Sequence, residues 1–247
     1  MDRHEFLSNV SAALGRAGPT ADVGPSPVRY PDLAEAQIAA EKTRIDVAAK
    51  STELLDDAAD AMKTAGWKVH RAETIEDVGD LIAEICRDIG ADTALRSGHE
   101  VLDQARIDSA LERSGVDLRN MTLGDEMSEE DRAELRSAHR KEVFRTNVGI
   151  TGGDYVIAET GTLVIHPKKG VSRLTSLAPP VHIAVIERGQ VLPSLDELFL
   201  LEHVDIHGGD RHAAMNLISG PSRTGDIEAT IVHGIHGPTE THVILVG

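Results

Sequence analysis

Apolar residues recur every three to four positions along much of the first half of the chain, which is the spacing of a helix with one buried face. This pattern predicts a short helix over residues 4–14 and helical structure over residues 32–66. Between them, residues 15–31 contain three glycines and four prolines, a composition typical of a linker. We therefore expect an N-terminal helix and Gly/Pro-rich linker over residues 1–31, followed by a folded domain over residues 32–247.

After residue 66, short strand-like runs alternate with helical segments. Strands are expected at residues 67–72, 92–96 and 116–121, and helices at residues 74–89, 101–113 and 128–141. Thr74 and Asp77 have the spacing of a capping box, which favours a helix beginning there. Because alternating strands and helices are typical of a parallel sheet, the chain is predicted to have an α/β fold, with a mainly parallel sheet flanked by helices.

The second half of the chain is richer in glycine and in strands. Strand-like runs occupy residues 155–159, 162–166, 181–186, 215–219 and 242–246, while helices are expected at residues 195–201 and, more briefly, 227–231. Glycines cluster between these runs, where they allow a backbone to approach a ligand closely. We therefore expect the ligand-binding loops to lie within residues 146–247.

Composition argues against several classes of function. A net charge of −16, with one Trp, two Tyr and three Phe, disfavours nucleic-acid binding, which normally uses a basic patch and stacking rings. No run of about 20 apolar residues predicts a membrane span, and the first residues lack the basic and apolar regions of a signal peptide. These features predict a soluble, cytoplasmic protein. The excess of acidic residues fits either a cytoplasm of high salt concentration or the base composition of a GC-rich genome.

The first candidate site lies within residues 149–165, where two strand-like runs flank a glycine. Glu159 and Thr160 end the first run. Gly161 turns the chain, and Thr162 begins the next run. A glutamate at a strand end can serve as an acid, a base or a carboxylate nucleophile, so Glu159 is the candidate catalytic residue. The alternative is a plain hairpin, in which Gly161 takes the turn and Glu159 faces water.

The second candidate site is the segment Gly-Pro-Ser-Arg-Thr-Gly-Asp-Ile-Glu over residues 220–228. It follows a strand-like run and precedes an expected short helix, a geometry that exposes backbone N–H groups to an anion. Ser222 and Thr224 supply hydroxyls, and Arg223 supplies a guanidinium suited to a carboxylate or phosphate. The alternative is that Ser222 or Thr224 caps the helix while Arg223 pairs with Asp226 at the surface.

The histidines and the cysteine are weaker candidates. His203 and His207 have a metal-binding spacing when both lie on a helix, but the helix at residues 195–201 is expected to end before Asp205, which lies between them. We therefore predict no metal site, no bound zinc and no cofactor. Cys86, the single cysteine, excludes an intramolecular disulfide and a cysteine-ligated iron–sulfur cluster. Its place on the apolar face of helix 74–89 predicts a buried thiol rather than a nucleophile.

Four motifs in the second half resemble those of the LUD-domain family, most closely its lactate-utilization C branch. They are Gly-Ile-Thr-x-x-Asp-Tyr-x-Ile-Ala-Glu-Thr-Gly-Thr-Leu from residue 149, Pro-Pro-Val-His-Ile from residue 179, Gly-Pro-Ser-Arg-Thr-x-Asp-Ile-Glu from residue 220, and His-Gly-Pro from residue 236. The resemblance is strong over residues 140–247 and only general before them. Besides Glu159 and Gly220, the positions that it implies for the site are Thr151, Asp154, Thr160, Gly161, Thr162, Ser222, Arg223, Thr224, Asp226, Glu228 and His236.

The resemblance implies a fold similar to the sugar-phosphate isomerase and CoA-transferase-like superfamily. It also implies a role in the bacterial oxidation of L-lactate to pyruvate, beside two iron–sulfur partner proteins. We therefore expect a component of an L-lactate utilization system that binds a small carboxylate or phosphorylated ligand, with Glu159 and Arg223 in one cleft where strand ends converge. Two alternatives stay open. One is a non-catalytic assembly subunit that docks the iron–sulfur partners, and the other is a transferase or ligase acting on a CoA ester or a nucleotide.

Overall fold

The computed structural model describes residues 32–120, 137–138, 140–168, 171–208, 214–227 and 230–247, the side chains of residues 224–233 excepted. The helix and linker expected over residues 1–31 lie outside this part of the chain, as does most of the helix expected over residues 128–141.

Helices and strands alternate along the described chain much as the sequence predicts. The helices are α1 (Leu33–Ala49), α2 (Ser51–Ala65), α3 (Ile75–Asp88), α4 (Glu100–Gln104), α5 (Ile107–Ser114), α6 (Arg173–Leu177) and α7 (Leu195–Gly208). The strands are β1 (Lys68–Ala72), β2 (Thr93–Arg96), β3 (Asp117–Asn120), β4 (Val148–Gly152), β5 (Tyr155–Ile157), β6 (Thr162–Ile165), β7 (Val181–Glu187), β8 (Val191–Leu192), β9 (Asn216–Ile218), β10 (Arg223–Ile227), β11 (Thr230–His233) and β12 (Glu240–Val246). The predicted capping box of Thr74 and Asp77 is present at the start of α3. Within the described ranges, no helix has both the length and the apolar character that crossing a membrane requires.

The main sheet has six strands, all parallel, in the order β1-β12-β7-β4-β2-β3. The predicted α/β fold with a mainly parallel sheet is therefore confirmed. A smaller sheet has the order β8-β5-β6-β9, and in it β5 and β6 form an antiparallel hairpin with Gly161 in the turn. β10 and β11 pair with each other as a separate hairpin.

Apolar side chains cover both faces of the main sheet, as a parallel sheet requires. On one face, α3, α4 and α5 pack against a core that contains Ile150, Ile183 and Cys86. On the other face, α2, α7 and the smaller sheet enclose a core that contains Trp67 and Val243. Cys86 is fully buried, which confirms the expectation from the sequence, and burial raises the pKa of its thiol to about 11.

The short helix expected at residues 227–231 is wrong, because Ile227 ends β10 while Thr230 and Ile231 belong to β11, with which β10 pairs. Ile227 and Ile231 are one helical turn apart, but residues 230–232 are a β-branched run of Thr, Ile and Val, which favours a strand. The loop at residue 220 therefore has no helix beginning behind it. The anion-binding geometry that the sequence suggested there, with free N–H groups at a helix start, does not form.

The expected end of α7 near residue 201 is also wrong, because the helix continues to Gly208. Leu200 and Val204 continue the apolar face of the helix and pack against the core. His203 and His207 therefore share one helix, with ring centroids 4.5 Å apart. In the ranges that the structure describes, no group of three or more His, Cys, Asp or Glu side chains is arranged to hold a metal ion. The expectation that the protein binds no zinc stays a prediction.

Candidate functional site

Both glycine-containing loops pack against the last turn of α2. Gly161 has a φ of +63°, and a Cβ added there would lie 2.5 Å from the backbone nitrogen of Met62. Gly220 has a φ of +98°, and a Cβ there would lie 2.3 Å from the carbonyl oxygen of Ala65. Both positions favour glycine, because each combines a left-handed backbone with close contact to α2. The structure thus brings the two candidate loops to the same helix end.

Arg223 begins β10, and its side chain lies over Gly66, the capping residue that follows α2. A Cβ added to Gly66 would lie 2.3 Å from Nη2 of Arg223, and Gly66 has a φ of +102°. The guanidinium is therefore at the C-terminal end of the helix, where the negative end of the helix dipole favours a cation. Because Arg223 is exposed, it presents a positive charge to solvent at the point where the two loops meet.

Hydroxyl groups connect the two loops. Thr160 Oγ1 lies 2.7 Å from Thr162 Oγ1, which in turn lies 2.7 Å from Ser219 Oγ. Thr160 is exposed and Thr162 is buried, so this chain of hydroxyls runs from the surface inward. Glu159 is exposed, and its backbone N–H donates to the carbonyl of Pro193 at 3.0 Å.

Ser222 and His236 also come together, through a hydrogen bond from the backbone of His236 to the hydroxyl of Ser222. The N–H of His236 donates to Ser222 Oγ at 3.1 Å, and the N–H of Ser222 donates to the carbonyl of Pro238 at 2.8 Å. These bonds hold the start of the β10–β11 hairpin against the segment that leads into β12. The hydroxyl of Ser222 therefore has a structural partner already.

The loops gather at the amino ends of the parallel strands. Gly66 leads through Trp67 into β1, and Pro180 directly precedes β7. Thr239 directly precedes β12, and its N–H and hydroxyl donate to the carbonyl of Pro180 at 2.9 and 3.0 Å. Ligands of open α/β sheets usually bind at the carboxyl ends of the strands, so this candidate site lies at the opposite edge.

A second polar cluster lies at the carboxyl edge, where β4 ends. The carboxylate of Asp154 accepts a hydrogen bond of 2.7 Å from the N–H of His166. The His166 ring contacts two carboxylates, with Nδ1 3.3 Å from Asp154 Oδ2 and Nε2 2.8 Å from Glu202 Oε1. Lys168 Nζ lies 3.7 Å from Asp154 Oδ1. This cluster joins β6 to α7.

Burial and charge act in opposite directions on the pKa values of this cluster. Burial alone lowers the pKa of His166, but the hydrogen bond with Asp154 and the negative charges of Glu202 and Asp154 outweigh it, so the pKa is raised. Burial alone raises the pKa of Asp154, but hydrogen bonds from His166 and the positive charges of His166 and Lys168 outweigh it, so the pKa is lowered. Both shifts favour an imidazolium between two carboxylates.

Thr151 belongs to a buried network rather than to either surface cluster. Its Oγ1 lies 2.8 Å from Nε2 of His182, and both residues are fully buried. Burial, with a smaller contribution from the positive charge of His242, lowers the pKa of His182 to about 3. His182 is therefore neutral at physiological pH. The ring of Trp67, the residue after Gly66, lies 6.1 Å from the His182 ring.

The comparison with known protein families is decisive for the relationship of this chain. Its sequence matches the LUD domain over residues 55–246. The chain belongs to the LUD domain family. "Lactate utilization protein C" from Halalkalibacterium halodurans is 28% identical over 99% of this chain and 97% of its own length. The protein of the same name from Bacillus subtilis is 35% identical over 43% of this chain and 45% of its own length.

A solved structure supports the fold of this LUD domain. The crystal structure of a DUF162 family protein from Deinococcus radiodurans superposes with a TM-score of 0.51 and covers 80% of this chain and 98% of its own. Its sequence identity of 20% limits the likeness to the fold.

The structure of this LUD domain gathers most of the predicted site residues and separates two of them. Gathered at the amino edge are Thr160, Gly161, Thr162, Gly220, Ser222, Arg223 and His236. Glu159 is exposed beside Thr160 and contacts Pro193 through its backbone N–H, so the expectation that it shares a cleft with Arg223 stays a prediction. Asp154 lies at the other end of the β5–β6 hairpin, and Thr151 is buried beside His182. The side chains of Thr224 and Asp226, and the whole of Glu228, lie outside the described residues.

Sequence reasoning missed the residues that complete both clusters, namely Gly66, Trp67, His166, His182 and Glu202. Of these, His166 could have been found from the sequence through the strand register of the β5–β6 hairpin. Pairing of Tyr155 with Val164 across the Gly161 turn sets Asp154 opposite Ile165, the residue next to His166. The contribution of Gly66 and Trp67 depends on how α2 packs, and no local pattern in the sequence specifies that.

Proposed function

We propose that this LUD domain is a component of an L-lactate utilization system and binds a small carboxylate where the two glycine-containing loops meet the end of α2. The names of the full-length and partial relatives support a role in lactate utilization. The observation that carries the binding proposal is the placement of Arg223, which sets an exposed guanidinium over Gly66 at the junction of the loops.

The surroundings of Arg223 suit a small anion with hydrogen-bonding groups. A guanidinium recognises a carboxylate through paired N–H donors. The hydroxyls of Thr160, Thr162 and Ser219 provide further donors and acceptors nearby. In this proposal Arg223 binds the carboxylate, the hydroxyls orient it, and Glu159 is the candidate acid, base or nucleophile.

The proposal includes iron–sulfur partner subunits. Oxidation of L-lactate to pyruvate releases two electrons and two protons, and the electrons need an acceptor. The one cysteine of this chain, Cys86, is fully buried with a raised thiol pKa, so this chain alone does not supply the thiolates of an iron–sulfur cluster. Partners that carry such clusters would accept the electrons.

Isothermal titration calorimetry with L-lactate and pyruvate tests the binding proposal. Charge-assisted hydrogen bonds contribute roughly 1.5–3 kcal/mol each, so Arg223→Ala is expected to weaken binding about ten- to a hundredfold. The matched control is Arg188→Ala. Arg188 is also exposed, but it lies beside Gly247 at the carboxyl edge of the sheet. This control should bind both ligands like the wild type.

Equal binding by the wild type and Arg223→Ala would remove Arg223 from the site. The guanidinium would then only stabilise the C-terminal end of α2, where a cation contributes about 0.3–1 kcal/mol to stability. In that case a thermal melt of Arg223→Ala would show a small loss of stability without any loss of affinity. The assembly role, without ligand binding by this chain, would then be the better account.

A further inference from the structure

A row of positions that share one face crosses the main sheet near the amino ends of its strands. Gly149, His182 and Thr241 are Cα partners on the neighbouring strands β4, β7 and β12, so they share one face of the sheet. Lys68 pairs with His242 one position later, which sets Trp67 level with Thr241. The ring of Trp67 is 6.1 Å from that of His182. The row therefore extends from β4 to the start of β1.

Four atoms around this row are buried without a hydrogen-bond partner in the part of the chain that the structure describes. They are Trp67 Nε1, His182 Nδ1, Thr175 Oγ1 and Thr241 Oγ1. Thr175 joins the row because its carbonyl oxygen would lie 1.8 Å from a Cβ added to Gly149. All four residues are at most 3% exposed. Buried polar atoms are normally paired, so four unpaired ones on and beside one row of the sheet indicate a place for a polar ligand group.

The chemistry of these atoms defines the group that would satisfy them. The indole Nε1 of Trp67 only donates, so its partner must be an acceptor such as an oxygen. The hydroxyls of Thr175 and Thr241 donate or accept as needed. The other ring nitrogen of His182 is already engaged with Thr151, which leaves Nδ1 for the ligand.

The row also favours an uncharged group over an ion. The four residues that line it carry no cationic side chain, and burial keeps His182 neutral by lowering its pKa to about 3. A buried charge without a partner is strongly unfavourable. A neutral hydroxyl or carbonyl oxygen therefore fits the row, and a carboxylate does not.

We propose that the end of this row at Trp67, with Nε1 of Trp67 and Oγ1 of Thr241, binds the oxygen on the second carbon of a small 2-hydroxy or 2-oxo carboxylic acid whose carboxylate is held by Arg223. Trp67 directly follows Gly66, over which the guanidinium lies, so the two contacts are adjacent along the chain. This inference rests on the proposed function, because Arg223 supplies the carboxylate contact. It adds that the row selects acids with an oxygen next to the carboxylate.

Calorimetric titration with L-lactate and with propionate tests the inference, because propionate is the same acid without the hydroxyl. The wild type should bind L-lactate at least about tenfold more tightly than propionate, which is the affinity that one or two hydrogen bonds contribute. Thr241→Val and Trp67→Phe keep the shape of each side chain but remove its polar atom. Both variants should lose the preference while retaining their affinity for propionate. Thr64→Val, which alters an exposed threonine on α2, is the matched control and should keep the preference.

The outcomes separate this inference from the proposed function. If wild-type protein binds L-lactate and propionate equally, and Arg223→Ala weakens both, the carboxylate site stands and the role of the row is wrong. If neither acid binds, the proposed function fails for these ligands, and thermal melts of the same variants decide the nature of the row. A melting temperature that holds or rises in Thr241→Val and Trp67→Phe keeps the row as a binding site for another oxygen-bearing ligand. A fall in both variants makes the row a structural element and overturns the inference.

Discussion

Replacing His166 with alanine should destabilise the fold strongly, because it removes the cation between two carboxylates. Nδ1 lies 3.3 Å from Asp154 and Nε2 lies 2.8 Å from Glu202, while Tyr155 meets the ring edge-on at 6.5 Å. Removing one partner of a buried ion pair costs about 3–5 kcal/mol. The side chains of Asp154 and Glu202 keep 17% and 11% exposure, so water can partly compensate them. We therefore expect the lower end, about 3 kcal/mol.

The pH dependence follows from the directions of two pKa shifts. The pKa of His166 is raised in the fold, so its contribution to stability is complete below its unfolded pKa of about 6.5 and is lost as pH rises through the folded pKa. The pKa of Asp154 is lowered, so its contribution is present above about pH 3.9 and is lost as pH falls through the folded pKa. The difference in unfolding free energy between wild type and His166→Ala should thus be largest between about pH 4 and 6.5.

Urea unfolding of the wild type, His166→Ala and Glu202→Gln at several pH values measures this effect. Glu202→Gln removes one carboxylate charge but can keep a hydrogen bond, so it should cost less than His166→Ala. It should also bring the folded pKa of His166 down, so that the loss of stability with rising pH is complete at a lower pH than in the wild type. His207→Ala, which changes an exposed histidine on α7, is the control and should stay within about 0.5 kcal/mol of wild type. A loss below about 1 kcal/mol for His166→Ala, constant from pH 5 to 8, would refute the ion-pair account.

Two further predictions concern the packing of Gly161 and Cys86. Gly161→Ala should lower the unfolding free energy by about 1–3 kcal/mol, because its φ is +63° and the new Cβ would lie 2.5 Å from the Met62 nitrogen. Gly189→Ala, which meets open space, should change it little, and equal stability of the two variants in urea unfolding would contradict the close contact. Cys86, with a pKa raised to about 11, should react with iodoacetamide at pH 8 on the order of 100-fold more slowly in the native protein than in denaturant, as followed by mass spectrometry. Similar rates in both states would show that the thiol is accessible.

Elements whose signals are local could be predicted from the sequence. The capping box of Thr74 and Asp77 starts α3 where it was expected, and the glycine at residue 161 turns the β5–β6 hairpin. The break between α1 and α2 at Lys50 was not predicted, because the apolar spacing continues across it. The pairing of β10 with β11 was not predicted, because Ile227 and Ile231 have the spacing of a helical turn, whereas the β-branched residues 230–232 favour a strand.

The candidate site was only partly predictable, because its residues meet through tertiary packing. The glycine-containing loops were identified by their motifs, but their shared contact with α2 depends on how that helix crosses the sheet. Asp154 lies in the same motif as Glu159, yet the two occupy opposite ends of one hairpin. The pairing of His182 with Thr151 joins two strands 31 positions apart in the chain, a distance at which no spacing rule operates.

Trp67 is the sole tryptophan of the chain. Because it is buried beside His182 and adjoins Gly66 under Arg223, nearly all of the intrinsic fluorescence excited at the red edge of the indole band originates at this one place. The protein thus carries its own optical probe at the candidate site. Emission wavelength, lifetime and quenching by solutes such as acrylamide will report on the polarity and accessibility of that place alone, without labelling and without background from the rest of the fold.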